Sequence, residues 1–505
     1  MFYLFNLPIN NKPIFSRTDG KTETIMATTL EATDETIAQE LSSLKTVFER
    51  QKQASRTASI PSREERIRTL QRLKQVLLDN QEAIAATISE DFSGRSREET
   101  LIGELMPIAQ NINTTCKKLA KWMKPNKRRV GWHLQPAKAV VHYQPLGVVG
   151  IIVPWNYPVQ LAVMPMISVL AAGNRVMVKM SERVPATAAL FAQLMADHFT
   201  NDLIAVIEGE ADVAAEFSQL PFDHLLFTGS TQVGRRVMKA AAENLTPVTL
   251  ELGGKSPVII ADDADLTEAA ERICFGKSFN SGQTCIAPDY VLCPRDKQNA
   301  LIEALHLAFT KMYPKLAGNR DYTSIIDNDL HQRLHALIDE AREAGAEVHV
   351  IGEECIDDGS RRMPLHIITG ASDHLTVMQE EIFGPILPVI PYDNLNDALD
   401  YINDRPRPLG LYLFSHDEQV QQQVLELTHS GGVCINDTLL QVAVDDMPFG
   451  GIGPSGMGHY HGHEGFLTFS KTKGTFYKGK PNTTKLLYPP YGGLLGKLII
   501  KLFIR

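Results

Sequence analysis

Cys285 lies in the run Ser278-Phe-Asn-Ser-Gly-Gln-Thr-Cys-Ile286. A thiol attacks an aldehyde carbonyl, and its thiolate does so far better. A free cysteine has a pKa of about 8.5, so such a site must favour the thiolate or supply a base. Gly282 permits close backbone approach. A second group, Glu251, stands in Leu250-Glu-Leu-Gly-Gly-Lys-Ser-Pro257. At the C-terminal end of a strand its carboxylate could activate water or the thiol. A third, Asn156, stands in Val153-Pro-Trp-Asn-Tyr-Pro158. Its amide N–H, beside a backbone N–H, could hold the oxyanion that such an attack creates. Singly, each has a plain alternative: a buried structural cysteine, a surface glutamate before a Gly-Gly turn, a turn-forming asparagine between prolines.

Phe227-Thr-Gly-Ser-Thr-Gln-Val-Gly234 reads as a strand running into a glycine-containing turn and then a helix. A helix N-terminus favours phosphate through exposed N–H groups and the helix dipole. The run is not the Gly-x-Gly-x-x-Gly fingerprint, so it only suggests a dinucleotide. Lys179 and Glu182 follow another short apolar run and could bond ribose hydroxyls; without context they are ordinary surface charges.

The elements that must carry these groups are legible as patterns. Residues 30–125 read as helical. Ser62-Arg-Glu-Glu65 fits a capping box, followed by Ile67, Leu70, Leu73 and Leu77 at helical spacing. Residues 138–144 alternate weakly, as in a strand of a β-arm. From 147 short apolar runs take over: Val148–Val153, Arg175–Val178, Leu203–Ile207, His224–Phe227 and Val248–Leu250, with helical stretches at 186–199 and 231–244. Strand–helix alternation predicts an α/β fold with a parallel sheet. The pattern repeats at Pro257–Ile260, Ile386–Ile390, Gly410–Phe414 and Gly432–Ile435, which predicts a second α/β domain. The chain after 470 reads as irregular, with Pro489-Pro490 as a stop.

The chain has 505 residues, enough for two or three domains, and a net charge of −9 that disfavours nucleic acid. Its six cysteines, at 116, 274, 285, 293, 355 and 434, form no Cys-x-x-Cys pair. They point to reduced thiols in the cytoplasm and to no metal site. The first residues lack the features of a secretory signal, Met26 could be a second start, and residues 1–25 read as a disordered extension. No run of 18 apolar residues predicts a spanning helix. Residues 488–505 form an amphipathic tail. Lys497, Lys501 and Arg505 recur every four residues, opposite Leu494, Leu495, Leu498, Ile499, Leu502 and Phe503. It could dock on the body or a partner subunit, the favoured reading, or lie on an anionic membrane.

Taken together, six segments in order carry a family resemblance: Pro154-Trp-Asn-Tyr-Pro158, Phe227-Thr-Gly-Ser-Thr231, Leu250-Glu-Leu-Gly-Gly-Lys255, Gly282-Gln-Thr-Cys285, Glu380-Glu-Ile-Phe-Gly-Pro385 and Pro448-Phe-Gly-Gly-Ile-Gly453. Over about residues 40–475 the chain resembles the aldehyde dehydrogenase superfamily. Ser455-Gly-Met-Gly-His-Tyr-His-Gly462 resembles its class 3 branch. Residues 143–163 and 171–182 resemble bacterial coniferyl aldehyde dehydrogenases. The resemblance implies a Rossmann-type coenzyme domain (26–125 and 146–251), an α/β catalytic domain (252–469) and a β-arm for oligomerisation (126–145 and 470–487).

It also implies Cys285 as nucleophile, Glu251 as the base for deacylation, and Asn156 with the Cys285 N–H as oxyanion hole. Trp155, Lys179, Glu182, Gly229, Ser230, Gly234, Glu381 and Phe383 would bind coenzyme. Lys179 and Glu182 would hold the adenosine ribose, Gly229, Ser230 and Gly234 would lie by the pyrophosphate, and Glu381 and Phe383 would position the nicotinamide. Met180 departs from the proline more usual after the ribose-binding lysine. The implied reaction oxidises an aldehyde, coniferyl or another aromatic one, to its acid with NAD, or NADP, through a thioester. A medium-chain or fatty aldehyde is the alternative substrate. A CoA-acylating enzyme and a non-enzymatic structural protein are the remaining alternatives, and a homodimer is expected.

Overall fold

The computed structural model describes residues 43–352, 356, 358–491 and 493–504. The extension expected over 1–25, the second start at Met26 and Cys355 lie outside the described residues.

The helix Arg63–Asp79 starts as the sequence demands. The Glu65 N–H donates to Ser62 Oγ at 3.2 Å, and Glu65 Oε2 accepts the Ser62 N–H at 2.7 Å. Leu70, Leu73 and Leu77 are buried, with Ile67 at the margin of the same core.

Among the described residues three sheets form. The six-stranded sheet runs in the order Gly456–Met457, Val248–Leu252, His224–Gly229, Val148–Ile152, Arg175–Lys179, Ile204–Ile207; only its first pair is antiparallel. Val148–Ile152 is buried at every residue, as a strand covered on both faces must be. From it the chain steps outward twice, through the helices Gln160–Ala172 and Pro185–His198. It then returns to the other side of the first strand as His224–Gly229. That reversal makes a topological switch point between Val148–Ile152 and His224–Gly229, where ligands of such sheets bind. The segments that leave these two strands begin at Val153 and Ser230.

The seven-stranded sheet runs Glu347–Ile351, Leu365–Thr369, Ile386–Tyr392, Tyr290–Pro294, Pro257–Ile260, Gly410–Phe414, Gly432–Ile435, again antiparallel only in its first pair. The sequence pattern supplied four of these strands and missed three. Glu347–Ile351 is a half-exposed edge, and Tyr290–Pro294 contains a cysteine and ends in proline, so neither shows a clear apolar run.

The third sheet pairs Ala137–Pro145 with Asn126–Arg128 and with Ser470–Lys478, all antiparallel. This corrects the expectation of an irregular chain after 470. Eight of the nine residues of Ser470–Lys478 are not buried, so no alternation betrays the strand. Its order comes from a backbone ladder running from Ser470 opposite Pro145 to Lys478 opposite Ala137. Before it, the chain returns from the second sheet to the first: Gly456–Met457 pairs with Glu251 and Leu250, and the helix Gly462–Thr468 packs on Gln160–Ala172.

Candidate active site

Cys285 follows a turn with three consecutive left-handed residues, Asn280 (φ 53°), Ser281 (φ 51°) and Gly282 (φ 74°). A Cβ on Gly282 would lie 2.7 Å from the Gly384 carbonyl oxygen and 2.9 Å from that of Lys277, so only glycine fits. For Asn280 and Ser281 the conformation costs roughly 1–2 kcal/mol each, and a dense set of hydrogen bonds offsets it. Asn280 donates its backbone N–H to Glu99 (3.3 Å) and its amide to the carbonyls of Asn156 and Gln283 (both 3.1 Å). Gln283 donates to the Asn280 and Ser324 carbonyls and accepts from the Ile326 N–H. Ser281 donates to the Thr323 carbonyl. Asn156, buried, donates Nδ2 to the Gln283 carbonyl at 3.0 Å, two residues before Cys285. The segment after Val148–Ile152 and the cysteine loop are thus one bonded unit.

Three charged residues that sequence reasoning passed over hold this unit from behind. The Arg95 side chain, fully buried, donates to Glu104 and to the Asn156 carbonyl, both at 3.0 Å. Its guanidinium also lies over the rings of Tyr157 (4.7 Å) and Phe92 (5.3 Å), whose faces favour a cation. Glu104 accepts the backbone N–H groups of Val159 and Gln160, at the start of the helix Gln160–Ala172. Glu99 accepts the Thr323 hydroxyl as well as the Asn280 N–H. Burial, opposed by these bonds and by Arg95, lifts its pKa to about 7. In the sequence these are ordinary charges of a helical stretch. Only a buried Arg–Glu pairing across several turns would have singled them out, and that is a tertiary fact.

On the other side of the cysteine the carboxylates have no such support. Glu251, one residue past the expected run Val248–Leu250 and next to last in the strand Val248–Leu252, is 3 % exposed, and neither carboxylate oxygen has a hydrogen-bond partner among the described residues. Burial raises its pKa well above the usual carboxylate range. Glu381 is likewise buried, with Oε1 unpartnered, and burial with the nearby Asp289 charge lifts it to about 8. Its segment is tied down by groups the sequence did not flag. Arg333 donates to the carbonyls of Glu381 (2.8 Å) and Ile382 (2.9 Å), and Asp289 accepts the Ile382 N–H. Lys255 pairs with Asp289 and donates to the Glu380 carbonyl. Burial, and then the charges of Glu381 and Glu251, push the Cys285 thiol up to about 12.

The expected coenzyme residues gather at the switch point, with one change of role. Lys179 ends its strand, 1 % exposed, with Nζ donating to the carbonyls of Met180 and Gly209 at 2.6 Å; it is no surface charge. Glu182 is exposed just beyond it. Gly229 ends its strand, and Ser230 caps the helix Thr231–Ala242 by accepting the Val233 N–H. Gly234 lies inside that helix, where a Cβ would come within 2.7 Å of Leu252. It is a glycine of helix–strand packing rather than of the turn. Trp155 packs edge-on to Phe383, with ring centroids 5.4 Å apart. A dinucleotide fits this set: an open helix N-terminus takes a phosphate, and the unpartnered Glu381 oxygen accepts a hydroxyl.

Cys285 also lines a cavity of about 180 Å³ with Met106, Tyr157, Leu161, Phe279, Leu439, Phe449 and Tyr460. The Tyr157 hydroxyl shares a 2.8 Å hydrogen bond with Thr284, and its ring stacks on Phe279. Gln110 stands at the exposed rim. Larger clefts lie elsewhere, beside Lys52 and beside Trp122, and neither includes Cys285.

The aldehyde dehydrogenase family model matches residues 12–475. The chain belongs to the aldehyde dehydrogenase family. As a family member it is an NAD(P)-dependent oxidoreductase that converts an aldehyde to a carboxylic acid. It is 54 % identical over 467 residues to the "Probable coniferyl aldehyde dehydrogenase" of Pseudomonas aeruginosa, covering 92 % of this chain and 98 % of that one. The coniferyl aldehyde dehydrogenase of a Pseudomonas species is 43 % identical, covering 90 % and 96 %. The rat dimeric NADP-preferring aldehyde dehydrogenase is 38 % identical, covering 89 % and 98 %. Among solved structures, the substrate-bound Staphylococcus aureus aldehyde dehydrogenase matches with a TM-score of 0.86 and 36 % identity, over 91 % of this chain and 99 % of that one.

Proposed function

We propose that Cys285 is the nucleophile, Asn156 with the Cys285 N–H the oxyanion hole, and Glu251 the general base of this aldehyde dehydrogenase. One observation carries the assignment: a thiol at the wall of an apolar cavity follows a loop bonded to a buried amide and feels the charge of a buried carboxylate left without hydrogen bonds. Glu251, with its raised proton affinity, takes the thiol proton. Sγ of Cys285 then bonds the aldehyde carbon, and the carbonyl oxygen takes the charge that Asn156 holds. Bound at the switch point, the nicotinamide would bring a positive charge near the thiolate and accept the hydride that leaves the carbon. Cys285 is left carrying the acyl group as a thioester. Glu251, once it has passed the thiol proton to solvent, draws a proton from water, the water oxygen attacks the acyl carbon, and acid leaves as Glu251 returns that proton to the Cys285 sulfur.

Trp155, Lys179, Glu182, Gly229, Ser230, Glu381 and Phe383 would hold the coenzyme, with Gly234 keeping their helix close to the strand. Exposed Glu182 would repel a 2′-phosphate and favour NAD over NADP, partly offset by Lys179. The substrate we assign is a flat aromatic aldehyde of the coniferyl type. The aromatic walls formed by Tyr157, Phe279 and Phe449 support this, as do the names of the most similar relatives. The proposed domain limits lie near 125, 146, 252 and 470; the grouping of most strands into three sheets supports them, although Gly456–Met457 crosses back to the six-stranded sheet. The exposed strand Ser470–Lys478 would pair subunits in a homodimer. The five described cysteines are all unpaired, which supports a reducing, cytoplasmic setting.

Kinetics with coniferyl aldehyde, benzaldehyde and medium-chain alkanals tests the reading. Free acid should form without CoA, and kcat/KM should be highest for coniferyl aldehyde. A preference for alkanals would overturn the aromatic assignment, and a need for CoA would remove Glu251 from deacylation.

A further inference from the structure

The catalytic reading leaves the C-terminal segment unused. From residue 465 to the end the chain carries eight Lys and Arg and no Asp or Glu, although the whole protein has a net charge of −9. Within it the helix Leu494–Phe503 packs against the short turn Thr483–Leu487. Leu494, Leu498 and Leu502 are 90 %, 63 % and 56 % exposed along one side. Ile500 is 56 % exposed, and two residues on from Leu498 it lies roughly 160° around the helix. Lys497 and Lys501, four apart, form a single narrow cationic line between them. Tyr488 and Tyr491, just before the helix, are exposed.

This distribution decides between occupants. A helix that docks on a protein surface needs an apolar stripe of about 100° facing that surface. Here, among the described side chains, a protein face that covers Leu494, Leu498 and Leu502 leaves Ile500 on the far side in water. Acyl chains can cover both sides, because they close around the helix while two lysines reach the headgroups. Ten residues span roughly 15 Å, half the hydrocarbon thickness, so the helix would lie in the interface rather than cross it. No helix among the described residues is long and apolar enough to cross a membrane. Tyrosines beside the helix suit the headgroup level.

We infer that residues 488–491 and the helix Leu494–Phe503 form an interfacial membrane anchor selective for anionic lipid. This reverses the balance favoured in the sequence, where docking on protein came first. The inference does not depend on the catalytic assignment.

The full-length enzyme would be sedimented with phosphatidylglycerol–phosphatidylcholine vesicles and with pure phosphatidylcholine vesicles, at low salt and at about 0.5 M salt. Wild type should follow the anionic vesicles at low salt and be released by salt. K497E/K501E should weaken binding by roughly tenfold or more. L498D/L502D should abolish it while turnover and oligomeric state, read by light scattering, stay at wild-type values. Wild type that ignores anionic vesicles at low salt overturns the anchor. So does L498D/L502D protein that still binds them. A change of oligomeric state in L498D/L502D would instead place the helix on a partner subunit, and the lipid assignment would fall.

Discussion

The two flanks of Cys285 treat their buried carboxylates differently. On the Asn156 flank both buried carboxylates are bonded, and the atoms left without a partner among the described residues are Arg95 Nε and Nη2 and Asn280 Oδ1. Asn280 and Gln283 spend their amides on neighbouring carbonyls, and Arg95, Glu99 and Glu104 brace them from behind. On the Glu251 flank two buried carboxylates carry unpartnered oxygens. Satisfied groups fix geometry, whereas an unsatisfied buried carboxylate keeps a raised proton affinity ready for a reaction partner. In the proposed mechanism one flank would set where charge develops and the other where the proton goes.

The comparison is broken most severely by removing what both flanks serve. Cys285→Ala should lower turnover by at least roughly 10³-fold in an NADH assay while coenzyme binding, followed by fluorescence, persists. Cys293→Ala, buried in a strand, should keep the chemistry. The reverse pattern would assign the nucleophile to Cys293.

Next in size is a change confined to the unsatisfied flank. Glu251→Gln keeps shape and burial but accepts no proton. Steady turnover should fall by roughly 10²–10⁴-fold. A stopped-flow burst of one NADH per site should survive if its main task is the water step. An unaltered steady rate would remove Glu251 from the mechanism.

The smallest effect belongs to the braced flank and reads out as stability. Glu99 titrates near 4.5 in the unfolded chain and near 7 in the fold. Its folded pKa is raised, so its contribution is full below pH 4.5 and is lost as pH climbs through about 7. Glu99→Gln, which can still accept the Thr323 hydroxyl, should flatten the fall of Tm across that window and change kcat by less than about tenfold. An identical pH slope in both proteins would show that Glu99 ionises normally inside the fold.

The same contrast explains what was legible in the sequence. Cys285, Glu251 and Asn156 sit in short runs of glycine, proline and amide residues whose chemistry is local, and the parallel strands that carry them are unbroken apolar runs. Arg95, Glu99, Asp289 and Arg333 act mainly through partners between 48 and 224 residues away, apart from nearby Glu104, and nothing in their neighbours marks them. Gly234 was legible as a glycine but not as a packing glycine, because Leu252 meets it only in the folded sheet. Ser470–Lys478 was hidden for a related reason: a strand exposed on both faces has no periodicity to read.

The pairing of Gly456 with Glu251 also sets a timetable for synthesis. The strand that bears the base acquires its outer neighbour only about two hundred residues later. At about 5–20 residues per second a ribosome needs roughly 10–40 s to supply it. Through that interval Val248–Leu252 is an open sheet edge on a nascent chain, the kind of edge that recruits foreign strands. Translation that stops before Gly456 would therefore leave a product with Cys285 and Glu251, the proposed nucleophile and base, already made but with that edge permanently uncovered, a substrate for chaperones and proteases.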